Sequence, residues 1–96
     1  MKLRIDVKKT HIKNGQKSSG GCCPIALAVK SAIKTKNRVH VGYIRIQAVD
    51  KNAKTFNAWL PLKAKKFISR FDRGYCPKSS FKPFSFNLDV RYEEKD

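Results

Sequence analysis

Residues 83–92 alternate without a break, with Phe84, Phe86, Leu88, Val90 and Tyr92 on one parity and Ser85, Asn87, Asp89 and Arg91 on the other. A side-chain period of two is that of a strand with one buried face. Such a strand is not stable alone, so the rest of the chain must supply neighbouring strands and a cover for the apolar face.

The cover is legible in residues 61–74. Pro61 suits a helix start, and Ala64, Phe67, Ile68 and Phe71 recur at i, i+3, i+4 and i+7, which makes one buried stripe. Gly74 ends this helix, with Arg73 in its last turn. A second helix opens at Pro24 and carries Ile25, Leu27, Ala28, Val29, Ala32 and Ile33. Lys30 and Lys34 share its outer face, and it should fade near Lys36-Asn37.

Leu3, Ile5 and Val7 alternate with Lys2, Arg4 and Asp6 as a half-buried strand. Thr10 can cap a single helical turn that Gly15 ends, with Ile12 turned inward. Within 38–49 the apolar parity switches beside Gly42, from Val39, Val41 and Tyr43 to Ile44, Ile46 and Ala48, which requires a bulge or a tight turn. Asp50 to Ala53 is turn-like, and Phe56, Ala58 and Leu60 resume a strand. The expected fold is one small α+β domain spanning 1–96. Its antiparallel or mixed sheet has four to five strands, with two helices packed on one face, in the order β-α-β-β(-β)-α-β.

Charge then decides what the surface faces. The chain has 22 Lys+Arg against 7 Asp+Glu, a net +15, while 41% hydrophobic residues suffice for a core. Residues 1–36 carry +8, and the acids gather late, so residues 1–88 carry +17 and the end (Asp89, Glu93, Glu94, Asp96) is acidic. Such a field draws polyanions. The longest apolar run, Pro24 to Val29, is too short to span a membrane, and the N-terminus lacks a signal-peptide core; a cytoplasmic protein is expected.

Cys22, Cys23 and Cys76 form an odd set and read as reduced thiols. Cys22 and Cys23 stand at a positive helix end, which can depress a thiol pKa, yet burial of one against the sheet is the plainer role. No C-x₂-C or H-x₃-H spacing joins them to His11 or His40, and no carboxylate pair stands out, so neither metal, cofactor nor catalysis is expected.

Two basic constellations remain. Lys63, Lys66, Arg70 and Arg73, spaced by three, four and three, form a stripe on the second long helix that can track a phosphate backbone. Lys8, Lys9, Lys13 and Lys17 extend that surface if their loop folds nearby. Lys17, Gly20 and Gly21, before a helix start, have the parts of a phosphate-binding loop but lack the Walker pattern; a helix-capping loop uses the same residues. Trp59 lies opposite in parity to Phe56, Ala58 and Leu60, on the open side of the sheet. With Tyr43 and Tyr75 it suits base stacking, a second small core or a protein interface.

Two segments resemble a known group. Gly20-x-Cys22-Cys23-Pro24-Ile25-Ala26-Leu27-Ala28, and Leu60-Pro61 through Phe67-Ile68-x-x-Phe71-Asp72-x-Gly74 to Pro83-Phe84-x-Phe86-x-Leu88, are similar to small proteins of bacteriophages and prophages. Those share a Cys-Pro-[Ile/Val]-Ala helix, a short meander and a Phe-Ile-x-x-Phe-Asp-x-Gly helix before a Pro-Phe-x-Phe strand. The resemblance spans about His11 to Val90. It implies a phage context and the α+β layout, and brings no established activity. The chain departs from the pattern in its charge and in a connection lengthened by Pro77-Lys78-Ser79-Ser80.

The function expected is a small basic phage-type accessory protein that binds nucleic acid, DNA or RNA, without catalysis and mainly through phosphates. The alternative is a counter-defence or host-takeover protein that inhibits a host protein or nuclease complex by covering an acidic surface. Capture of a small nucleotide signal by the Gly20-Gly21 loop is a weaker third.

Overall fold

A computed structural model describes residues 2–17, 20–74 and 78–93. Tyr75, Cys76, Pro77, Glu94 and Asp96, which figure in the sequence reading, lie outside these residues. The elements run β1 (Lys2–Val7), α1 (Lys9–Asn14), α2 (Pro24–Ile33), β2 (Val39–Val41), β3 (Arg45–Val49), β4 (Thr55–Trp59), α3 (Leu62–Arg73), a 3-10 turn (Lys78–Ser80), β5 (Phe84–Asp89) and β6 (Arg91–Tyr92). The fold is α+β and its strand pairs are antiparallel.

The alternating run 83–92 is divided between two ladders. Its first half, β5, pairs with β1 from Lys2↔Asp89 to Val7↔Phe84. Its second half, β6, pairs with β4 through Phe56↔Tyr92 and Asn57↔Arg91, completing the order β2-β3-β4-β6. Among the described residues, the expected sheet of four to five strands is thus six shorter strands in a two-stranded and a four-stranded ladder. The break falls at buried Val90, and parity is kept across it: Phe86, Leu88 and Val90 are buried on one side, where Tyr92 also lies against the Phe56 ring but stays 43% exposed. The parity switch near Gly42 is a tight turn between β2 and β3, closed by Gly42 N–H donating to the Arg45 carbonyl at 2.9 Å.

Among the described residues, three helices stand where two helices and a single helical turn were expected. The turn is α1, which ends at Gly15 with Ile12 buried, but its cap is not Thr10. Lys8 occupies that place, and its N–H donates to Nδ1 of His11 at 3.0 Å. Helix α2 stops before Lys36: Lys34 turns left-handed (φ 51°) and its N–H closes on the Lys30 and Ser31 carbonyls. Ala32 is exposed, so the buried face of α2 is Ile25, Ala26, Ala28 and Val29.

Helix α3 buries the expected stripe of Ala64, Phe67, Ile68 and Phe71. Phe67 reaches Phe84 of β5 at a centroid separation of 4.8 Å and Phe81 at 5.4 Å, while Phe71 meets Phe81 at 5.5 Å. This aromatic group joins Ile5, Ile25, Val29, Ile46, Phe56 and Leu88 in one continuous core. Each fully buried side chain of this size contributes about 1.5–3 kcal/mol, which sets the helices on one side of the strands.

Candidate nucleic-acid interface

The basic face of α3 is positioned by its own buried stripe: with Phe67 and Phe71 turned inward, Lys63, Lys66 and Arg70 fall along one outer flank. They line a hollow of about 410 Å³ whose floor is Phe67, Phe81 and Phe84 and whose far wall holds Ser80 and Lys82. The Arg70 guanidinium sits 5.6 Å from the Phe81 ring centroid, a cation–π contact that restrains its side chain.

Phe81 also belongs to a second hollow, of about 320 Å³, with Lys9, Ile12, Lys13, Lys78 and Ser79. Segment 78–82 therefore lies between α1 and α3 and makes one double groove of their basic flanks. Lys78 fastens it, since its ammonium donates to the carbonyls of Lys13 (2.9 Å) and Gly15 (2.8 Å) at the exposed end of α1. Lys9, Lys13, Lys63, Lys66, Arg70, Lys78 and Lys82 line the two hollows, and no carboxylate does so among the described residues.

Of the residues singled out in the sequence, Lys9, Lys13, Lys63, Lys66 and Arg70 are thus brought together. Lys8 and Arg73 are exposed beside the groove without lining it. The Lys17 ammonium lies against Gly74, 2.9 Å from where a Cβ would stand, at the negative end of α3. Lys78 and Lys82 were not foreseen as part of this surface. The signal available was their place on either side of Phe81, an apolar residue inside a connection that otherwise reads as loop.

The carbonyls of Gly20 and Gly21 are engaged within the fold. Gly20 accepts from the Val41 N–H at 2.8 Å, and Gly21 from the Lys30 ammonium at 3.3 Å. Gly20 also packs on His40, where a Cβ would come within 2.5 Å of Cε1. The adjoining hollow of about 240 Å³ contains the Asp72 carboxylate, which opposes a phosphate there.

Cys23 caps α2, its sulfur accepting from the Ala26 N–H at 3.4 Å. Burial pushes its thiol pKa up, outweighing that hydrogen bond, so the depressed, reactive thiol considered for this helix end is not what Cys23 is. Cys22 is exposed. His11 is likewise structural. Because Nδ1 accepts from Lys8, the ring proton sits on Nε2 and donates to Ser31 Oγ at 3.2 Å, and burial lowers the ring's pKa. Among the described residues, no group of three His, Cys, Asp or Glu side chains could hold a metal ion, and no helix is long and apolar enough to cross a membrane.

Trp59 stands apart from the double groove. It is 67% exposed on the outer side of β4, in cross-strand register with Arg45. Comparison with known proteins yields no match to any family model, curated protein or solved structure. The likeness to phage proteins therefore rests on its short motifs alone.

Proposed function

We propose that this protein binds nucleic acid without catalysis, through phosphate contacts in the double groove around Phe81. One observation carries the reading: cations from three separated segments, 9–13, 63–70 and 78–82, line one surface on which no described carboxylate lies. Holding so many like charges together costs free energy through self-repulsion, and a polyanion relieves it. The aromatic floor adds to this by excluding water from beneath the cations, which strengthens their field toward a ligand.

A phosphate backbone suits such a row because each contact releases condensed counter-ions. Log K should fall linearly with log salt, by roughly 0.7 to 0.9 per phosphate engaged. Affinity for a mixed-sequence oligonucleotide, measured between about 50 and 200 mM salt, tests this; an affinity that stays level refutes it. The double charge reversal Lys63→Glu, Lys66→Glu should weaken binding and flatten the salt slope. A stoichiometric protein captured from nuclease-treated lysate, and lost with the same reversal, would show an acidic protein surface to be the partner instead.

A further inference from the structure

The inner parity of the four-stranded ladder is filled by Val39, Val41, Ile46, Ala48, Phe56 and Ala58, all buried. Its outer parity is a different surface. Register places Arg45 opposite Trp59, Gln47 opposite Asn57, and Asn57 opposite Arg91. Trp59 and Tyr43 are 67% and 76% exposed, and neither stacks on another ring among the described residues.

Trp59 and Tyr43 flank a hollow of about 440 Å³ that also takes in His40, Arg45 and Gln47. On its other flank Trp59 borders a second hollow, of about 310 Å³, lined by Arg91 and also by Asp89. Arg45, opposite Trp59 on β3, lines both hollows, whereas Arg91 lines only the second, beside the Asp89 carboxylate. Glu93 Oε1 accepts from Gln47 Nε2 (3.3 Å) and from Asn57 Nδ2 (3.0 Å), which fixes both amides and leaves their carbonyl oxygens as acceptors.

We infer that Trp59 is a stacking site for an unpaired nucleobase, with Arg45 across the strand pair holding an adjoining phosphate, so that the nucleic acid taken by this protein is single-stranded. This rests on the nucleic-acid reading above and adds the strand class. A flat indole on an open sheet offers a base its π-face, which only an unstacked base can use; a duplex keeps those faces to itself. Arg45 supplies charge complementary to the backbone, the Asp89 and Glu93 carboxylates turn the phosphates away from the β6 side, and the fixed amides meet the polar edge of a base.

Trp59 is the sole tryptophan of the chain, so its fluorescence reports the site directly. The full chain is titrated with a single strand of about 12 nucleotides and with a duplex of the same sequence, while anisotropy of an end label follows binding. The expected result is Trp59 quenching that saturates with the single-strand binding curve, and none with duplex. Trp59→Ala should weaken single-strand binding about tenfold or more and leave the salt slope unchanged, whereas Trp59→Phe retains most of the affinity. Circular dichroism confirms the fold of both variants. Single-strand binding without quenching, equal quenching by duplex, or unaltered affinity of Trp59→Ala overturns the stacking site while leaving the groove. Binding of neither oligonucleotide overturns both readings, whereas capture of a protein through Trp59 alone overturns the stacking site only.

Discussion

Lys78 donates its ammonium to the main-chain carbonyl of Lys13 at 2.9 Å, although 65 residues separate them. With the parallel bond to Gly15 at 2.8 Å, this contact holds the segment after α3 against the end of α1. The two halves of the basic groove are joined there, by an exposed lysine whose ammonium is anchored on main-chain carbonyls.

Replacing Lys78 should therefore do more than remove one charge. Lys78→Met leaves two α1 carbonyls without their donor and is expected to cost about 1 kcal/mol. In a domain of this size that lowers Tm by about 4–8 °C, read by thermal denaturation. Lys78→Arg should recover part of the loss. A Tm equal to that of the parent would show that the clamp does not hold the segment in solution.

Phe81 is the wall shared by both hollows, and its ring touches Phe67 and Phe71 beneath Arg70. Phe81→Ala should destabilise the protein by about 3 kcal/mol through the cavity it leaves. Phe81→Leu, which refills most of that volume, should cost less and keep oligonucleotide binding. Chemical denaturation of both variants gives the comparison.

Gly15 is required by a close approach rather than by its backbone angle, since its φ of −71° suits any residue. A Cβ at this position would stand 2.5 Å from Pro24 Cδ and 2.7 Å from the Pro24 nitrogen. Gly15→Ala should thus force α1 and the start of α2 apart, at about 1–3 kcal/mol. A shift in the denaturation midpoint without a change of slope is the expected signature.

Acid should weaken the fold in two stages. The His11 pKa is lowered by burial and by Lys8, so the unfolded chain takes up this proton first. The stability due to the neutral ring is complete above its unfolded pKa of about 6.5 and is lost as pH falls through the lower folded value. Asp50, held below the usual carboxylate range chiefly by the Lys54 and Asn52 N–H groups, gives up its contribution only as pH falls from about 4. Denaturant titrations across this range test the order, and His11→Ala should abolish the first stage alone.

Much of the fold was readable in the chain because its signals are local. The Ala64-Phe67-Ile68-Phe71 stripe, the Gly74 terminator and the alternation after Pro83 each depend on neighbours a few residues away, and each appears where it was expected. The same holds for the outward parity of Trp59. The Lys8 cap was missed because the partner that satisfies its N–H is a histidine ring, not the hydroxyl or carboxylate that usually marks a helix start.

What one side of 83–92 pairs with could not be read, because a period of two names the buried face and not the neighbour. Only the folded chain hands Phe84–Asp89 to β1 and Arg91–Tyr92 to β4. The groove follows the same division. The sequence by itself determined a basic flank on α3 and a basic stretch before Gly15. That they meet around Phe81, joined by Lys78 and Lys82, was decided by tertiary packing. Periodicity encodes which way a side chain points, whereas convergence of residues 9–13, 63–70 and 78–82 depends on how the aromatic core closes between them.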